Sequence, residues 1–276
     1  MKSINIHGRL LSFDYPKIMG VVNVTTDSFY RASRVQSIDA AMEMVGEMQS
    51  EGVDIIDIGA ASSRPGAELK EAEEEWSELE PTLREVIHNF PEIPISIDTY
   101  HSFVARKAIE MGAGILNDIS AFELDQQLLD VISETKTPYV LMHMKGTPTD
   151  MQNHPSYEDV TSEVLQFFIK KLRLLRDCGV NDVIIDPGFG FGKTVKQNYE
   201  LFNHIEVFKI LECPILVGVS RKSMIYKPLN IDSSESLNAT SALHLKALEL
   251  GANLLRVHDV KEAKEVIGVY KLLKNQ

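Results

Sequence analysis

Apolar residues in this chain gather in short unbroken runs, each followed by a polar loop and a longer stretch with helical spacing. Residues 18–24 read Ile-Met-Gly-Val-Val-Asn-Val, and comparable runs occupy 54–59, 95–98, 114–118, 139–144, 183–186, 215–220 and 254–258. Runs this short and this rich in β-branched residues predict strands, and their lack of polar alternation predicts burial on both faces, as in a parallel sheet. Helical periodicity predicts helices over 40–49, from 71, and over 103–111, 126–133, 157–177, 197–210, 234–250 and 261–273, with Gly52, Gly112 and Gly251 as stops. Residues 3–14 behave differently. Ile4 and Ile6 alternate with polar neighbours, His7-Gly8 makes a turn, and Leu10, Leu11 and Phe13 lie on the return, which predicts a hairpin able to plug one end of a core.

Eight strands, each followed by a helix, predict an α/β fold of the (β/α)8 TIM barrel type with a short N-terminal β-hairpin, as a single domain over residues 1–276. An open, doubly wound sheet is the alternative. No internal repeat or low-complexity linker marks a domain boundary.

A net charge of -12 argues against a general attraction to nucleic acid or to an anionic membrane surface, so any bound anion must be held by a local cluster. Cys178 and Cys213 are too few for a disulfide framework or a cysteine metal site, and suit reduced thiols in the cytoplasm. Neither a signal-peptide core nor a membrane-length apolar segment is expected.

In a barrel of this type, chemistry gathers at the carboxyl ends of the strands. Those ends deliver Asn23, then Ser62-Ser63-Arg64, Asp98, Asn117, Met142 with His143, Asp186, Arg221-Lys222-Ser223, and Arg256 with His258. Singly, an Asp or Asn there is a helix cap or turn residue and a His a satisfied core side chain. Caps do not call for arginine, lysine and histidine at the same rim, so the set predicts a mixed pocket. Asp98, Asn117, Asp186 and Lys222 match the donor and acceptor edges of a flat heterocycle. Arg64, Arg256 and His258, with Asn23, suit a diphosphate, and Asn23 is the neutral oxygen ligand that Mg²⁺ accepts when phosphates supply the rest.

Residues 186–194, Asp-Pro-Gly-Phe-Gly-Phe-Gly-Lys-Thr, are rich in glycine but match neither common phosphate motif. A P-loop requires glycine where Pro187 stands, and the spacing of Gly188, Gly190 and Gly192 is one residue short of the dinucleotide fingerprint. Close approach of the backbone to a flat or anionic ligand is one reading of these glycines, and a plain strand-to-helix turn the other.

Taken in register from Met19 to Val260, the motifs resemble the dihydropteroate synthase family: Met-Gly-Val-Val-Asn-Val-Thr-Thr-Asp-Ser-Phe, Asp-Ile-Ile-Asp-Ile-Gly with Ser-Ser-Arg-Pro-Gly-Ala, Ser-Ile-Asp-Thr-Tyr, Asn-Asp-Ile, Leu-Met-His-Met-Lys-Gly-Thr-Pro, Asp-Pro-Gly-Phe-Gly-Phe-Gly-Lys-Thr, Gly-Val-Ser-Arg-Lys-Ser and Arg-Val-His-Asp-Val. The resemblance implies a (β/α)8 barrel, usually a homodimer. It implies a transferase of folate biosynthesis that joins 4-aminobenzoate to 6-hydroxymethyl-7,8-dihydropterin diphosphate and releases diphosphate with Mg²⁺. It assigns the pterin to Asp98, Asn117, Met142, Asp186, Phe191 and Lys222, and the diphosphate and its cation to Asn23, Arg64, Arg256 and His258. It places 4-aminobenzoate near Phe29, Ser63, Pro65, Arg221 and Ser223.

Two loops depart from the family pattern. Where the family commonly has Thr-Pro-Asp-Ser-Phe-Ser-Asp-Gly-Gly, residues 25–33 lack the proline, an acidic residue and two glycines; where it has Glu-Ser-Thr-Arg, residues 61–64 are Ala-Ser-Ser-Arg. The loop over 25–37, which gains Arg31 and Arg34, is expected to cover the second substrate and to order when the diphosphate site fills. A pterin-binding methyltransferase would have no use for the Ser-Arg-Lys-Ser and Arg-Val-His residues. A catalytically idle pterin-binding module is the other alternative.

Overall fold

The computed structural model describes residues 2–24, 31–61, 69–149, 151 and 155–274, with backbone alone for 31–37. Strands β1 (Ser3–Ile6) and β2 (Arg9–Ser12) form the antiparallel hairpin. There follow β3 (Lys17–Asn23), α1 (Arg31–Glu51), β4 (Ile55–Gly59), α2 (Ala72–Asn89), β5 (Ile95–Asp98), α3 (Ser102–Met111), β6 (Ile115–Asp118), α4 (Gln127–Thr135), β7 (Tyr139–Met142) and α5 (Val160–Asp177). The chain continues through β8 (Val183–Asp186), α6 (Val195–Asn203), β9 (Leu216–Val217), α7 (Ser223–Leu229), α8 (Leu237–Leu250), β10 (Leu254–Val257) and α9 (Val260–Leu273). The eight strands β3 to β10 run parallel in the order β8-β7-β6-β5-β4-β3-β10-β9, and the bridge between Ile185 and Ile215 closes β8 onto β9. This is the barrel that the run of buried strands predicts.

Alternation along each strand sorts its side chains into two layers. Ile18, Ile56, Ile95, Leu116, Tyr139, Val183, Val217 and Leu255 belong to the large apolar layer shared with the helices. Their neighbours Met19, Ile55, Ile115, Val140, Ile184, Leu216 and Leu254 form a separate inner cluster with Ile4, Ile6 and Phe13. The hairpin therefore plugs the amino-terminal mouth of the barrel, as its alternation predicts. Two residues further along the same inward rows stand Val21, Asp57, Asn117, Met142, Asp186, Gly218 and Arg256. On β4, β6, β8 and β10 the inward row changes from apolar to polar within that one step, whereas β3, β7 and β9 carry Val21, Met142 and Gly218.

Several elements differ from expectation. Helix α1 begins at Arg31, inside the stretch read as a loop. The helix expected over 197–210 ends at Asn203 and resumes as the 3-10 segment Ile205–Leu211, and the one expected over 234–250 is preceded by the 3-10 turn Ser233–Glu235. Strand β9 is only Leu216–Val217, because the chain turns at once: the Lys222 amide donates to the Val219 carbonyl and Arg221 takes a left-handed φ of 53°.

The acidic triplet on α2 reads as a solvated face, yet Glu75 is fully buried while Glu73 and Glu74 are exposed. Position 75 falls on the stripe of Leu79, Thr82, Leu83 and Val86, at the i, i+4, i+7, i+8 spacing that faces the core. Burial raises the Glu75 carboxyl from 4.5 to about 7. A group ionised from pH 4.5 upward in the unfolded chain, but only above about 7 in the fold, costs stability that grows between those values and is full above them. Glu75→Gln is accordingly expected to stabilise the fold by up to about 3 kcal/mol at pH 8, with most of the gain gone at pH 5. Urea unfolding at the two pH values checks this, and equal gains at both would contradict it.

Candidate active site

The polar inward layer opens at the carboxyl end of the barrel and brings together residues far apart in the chain. Asp98 on β5 and Asn117 on β6 are cross-strand partners, as are Met142 on β7 and Asp186 on β8. Arg256 on β10 donates from Nε to Asp57 Oδ2 at 2.7 Å and from Nη2 to Asp98 Oδ2 at 2.6 Å. Asn117 donates from Nδ2 to the same Asp57 oxygen at 2.9 Å. Lys222, just after β9, donates from Nζ to the Phe189 carbonyl at 2.7 Å and stands 4.7 Å from the centre of the Phe191 ring. Phe191 packs with Met142, Tyr100, Ile119 and Met151 in an apolar cluster beside these polar groups. The chamber thus offers a flat apolar wall and a ring of fixed donors and acceptors.

Charge is concentrated and poorly solvated here. Burial lifts the Asp98 carboxyl to about 7, with Arg256 pulling it back and Asp57 pushing it further up. Burial raises Asp186 too, opposed by Lys222, while burial lowers Lys222 to about 8 against the pull of Asp186. Asp98 and Lys222 are thereby brought close to neutral pH, so a ligand with complementary hydrogens can set their state.

At the rim, His258 places Nδ1 3.1 Å from Ser220 Oγ. Asn23 and His258 line one cleft of about 370 Å³, together with Glu47, Glu51 and Asp259. No three His, Cys, Asp or Glu side chains among the described residues converge on a point that could hold a metal. Asn23 gives this cleft a neutral oxygen donor of the kind a hard cation accepts, and Glu47, Glu51, Asp259 and Glu262 give it an acidic lining.

Arg221, expected near the second substrate, is held by partners within the protein. Its guanidinium grips Asp259 with two bonds, of 2.9 and 2.8 Å, and donates also to the Ser233 and Ser234 carbonyls. That pairing raises the Arg221 pKa. Ser223 begins α7 directly after Lys222. Phe29, Ser63, Arg64 and Pro65, and the side chains of Arg31 and Arg34, lie outside the described residues, as do residues 25–30 of the cover expected over 25–37.

The glycine-rich stretch after β8 meets protein instead of ligand at two of its three glycines. A Cβ on Gly188 would lie 1.9 Å from the His143 carbonyl oxygen, and one on Gly192 2.2 Å from that of Lys145. Lys193, fully enclosed, ties the turn together by donating to the Gly188 carbonyl at 2.8 Å, the Phe191 carbonyl at 3.0 Å and His143 Nδ1 at 3.0 Å. Burial lowers Lys193 to about 7 and, with the Lys193 charge, holds His143 well below its usual value. The loop is thus a rigid mount for Phe189 and Phe191.

Two residues of this chamber, Asp57 and Lys193, are missed by reading only the strand ends. Asp57 carried a signal: it is a lone charge inside an otherwise apolar strand. Lys193 carried none beyond the failed phosphate motif.

A barrel with its polar chamber at the carboxyl ends of the strands is the frame of a family whose model, the pterin binding enzymes, matches residues 19–258. The dihydropteroate synthase of Escherichia coli (strain K12) is 39% identical over 264 residues, covering 95% of this chain and 93% of that protein. Among solved structures, the Yersinia pestis dihydropteroate synthase in a sulfonamide complex aligns with a TM-score of 0.93 at 33% identity, over 99% of this chain and 100% of that one. The enzyme of Xanthomonas albilineans in complex with 7,8-dihydropteroate aligns at 0.88 with 32% identity, over 99% of each chain. This chain belongs to the pterin-binding enzymes, and within them to the dihydropteroate synthases.

Proposed function

We infer that this chain transfers the pterin methyl carbon of 6-hydroxymethyl-7,8-dihydropterin diphosphate to the amine of 4-aminobenzoate, giving 7,8-dihydropteroate and diphosphate. The observation that carries the reading is the chamber itself, where Asp98, Asn117, Asp186 and Lys222 are fixed around the wall of Met142 and Phe191. Asp186, Asn117 and Lys222 would bind the polar edge of the pterin, with Asp98 and Arg256 against it. The carbon–oxygen bond to the diphosphate breaks, its electron pair leaving with the anion, and the amine nitrogen forms the new carbon–nitrogen bond and loses a proton. No protein nucleophile is needed. Positioning and charge stabilisation carry such a step.

Arg256, His258 and Asn23, with Arg64, would receive the departing diphosphate. Asn23 would hold Mg²⁺, whose charge offsets that of the leaving anion. Phe29, Ser63, Pro65 and Ser223 are proposed around 4-aminobenzoate. Arg221, proposed beside the carboxylate of 4-aminobenzoate, is braced there by its pairing with Asp259. A homodimer, one domain over 1–276 and a cytoplasmic location complete the proposal, supported by the family resemblance and by two unpaired cysteines. Among the described residues no helix is long and apolar enough to cross a membrane.

Purified protein with Mg²⁺ and both substrates is expected to release diphosphate steadily, and omission of 4-aminobenzoate to abolish the condensed product. Coupled diphosphate detection with chromatography of the product tests this. Pterin binding without product would favour the idle module.

A further inference from the structure

We propose that Asp57 is a positioning residue for the transfer reaction, with one carboxylate oxygen that fixes Asn117 and Arg256 in their substrate-facing poses before any substrate arrives. The proposal rests on the parts given above to Asn117 and Arg256. In the strand order β6-β5-β4-β3-β10, β4 is the middle, with Asn117 two strands away on one side and Arg256 two strands away on the other. The bonds from Asn117 Nδ2 and Arg256 Nε converge on Oδ2 of Asp57 and so tie an arc of five strands through one atom.

Stability alone gives no reason for a carboxylate at this position. Asp57 is fully buried, one step above the apolar row that includes Ile55, and its Oδ1 has no hydrogen-bond partner among the described residues. Among the described residues it caps no helix and closes no turn. A buried ion pair usually loses to well-packed apolar side chains of similar volume, so the charge costs the fold more than a leucine would.

What the charge supplies is direction. An amide side chain can present either its oxygen or its nitrogen, and a neighbour that only accepts settles which. With Nδ2 of Asn117 drawn to Asp57, its carbonyl oxygen is left as the acceptor for an incoming heterocycle. Arg256 is held in the same way at Nε, the root of its guanidinium, while Nη2 rests on Asp98. A ligand that takes up Asp98 or draws on Nη2 can change the partner at one end without losing the anchor at the other. Asp57 therefore serves the reacting groups through two intermediaries and touches no substrate.

The test is Asp57→Asn, which keeps the shape and one acceptor but removes the charge and the one-way constraint on Asn117. The KM for the pterin diphosphate is expected to rise tenfold or more, with the KM for 4-aminobenzoate unchanged. The pH profile gives a second readout. The groups facing Asp98 are Asp57 on β4, Tyr100 just after β5, Asp118 on β6, Glu75 on α2, Arg256 on β10 and Lys222 after β9. Removing the Asp57 charge takes away one repulsion and frees Arg256 for Asp98, so the ionisation of Asp98, near 7 in the native protein, moves to lower pH and the acid limb of kcat/KM for the pterin substrate moves with it. A merely structural Asp57 would lower Tm and leave the folded fraction with native KM and an unmoved profile, which would overturn the proposal. Should Asp57→Asn fail to fold, the native protein is read directly. A downfield, slowly exchanging arginine Nε–H in the ligand-free ¹⁵N spectrum, absent from Arg256→Lys, is expected, and rapid exchange of that proton with water overturns the proposal. Inactivity of the native protein with both substrates would take down the reaction and this role together, whereas an active native protein with an indifferent Asp57→Asn removes this role alone.

Discussion

Asp186→Asn is expected to weaken binding of the pterin diphosphate by about 1 to 3 kcal/mol, roughly 5- to 150-fold, while the protein still folds. Asp186 ends β8, is buried, and uses Oδ1 to accept the Gly188 amide at 2.8 Å. The Asn amide oxygen can keep that bond, so the turn survives. The second position changes from a carboxyl oxygen into an amide nitrogen that only donates, and the heterocycle meets a donor where it needs an acceptor. Folding suffers less, because Lys193 and Lys222, already lowered to about 7 and about 8, can shed a proton instead of remaining as uncompensated buried charges. Calorimetric titration with the pterin diphosphate, beside a thermal melt, separates the two effects. Native affinity in Asp186→Asn would remove the central assignment of the pterin site.

Gly188→Ala should be the more damaging change to the molecule as a whole. The residue has a φ of 69°, a region that costs an alanine about 1–2 kcal/mol, and its Cβ would sit 1.9 Å from the His143 carbonyl oxygen. That neighbour is backbone, held by the His143 amide bond to the Asp186 carbonyl, and cannot turn aside as a side chain could. The turn must shift, and it carries the Phe189 carbonyl that receives Lys222 and the Phe191 ring beneath it. A loss of about 3 kcal/mol or more in unfolding free energy is expected, together with pterin affinity. Gly8→Ala is the control. Gly8 has a φ of 85° but nothing within 4 Å of a Cβ, so it bears only the conformational cost. Urea unfolding of both variants gives the comparison, and equal losses would show that the close contact at Gly188 does not matter.

The barrel was legible because its strands are buried on both sides and its helices carry plain glycine stops, so each element announces itself locally. The hairpin was legible by the same logic, since only there do apolar and polar residues alternate. Less was visible where the outcome depends on distant neighbours. Glu75 looks like its neighbours Glu73 and Glu74, and only the helix phase set by Leu79 and Val86 turns it inward. Arg221 looks like a rim cation, but its partner Asp259 lies on the far side of α8 in sequence. The strand-end residues Asp98, Asn117, Asp186 and Lys222 could be named because a loop position with a charged side chain stands out. Asp57 lies inside a strand rather than at its end, and its partners, two strands away on either side, become visible only when the strands are closed into a circle.

The circle is closed unequally. Strands β3 to β8 join through continuous ladders, and β10 joins β3 likewise, but β8 meets β9 through the single bridge between Ile185 and Ile215. In mechanical terms the wall is a split ring, whose compliance is concentrated at one slit. Asp186 lies on one lip of that slit and Lys222, by way of the short β9 and its turn, on the other. The softest direction of the scaffold is therefore the one that widens or narrows the gap between these two side chains, and a flat molecule gripped by both would act as the clasp of the ring.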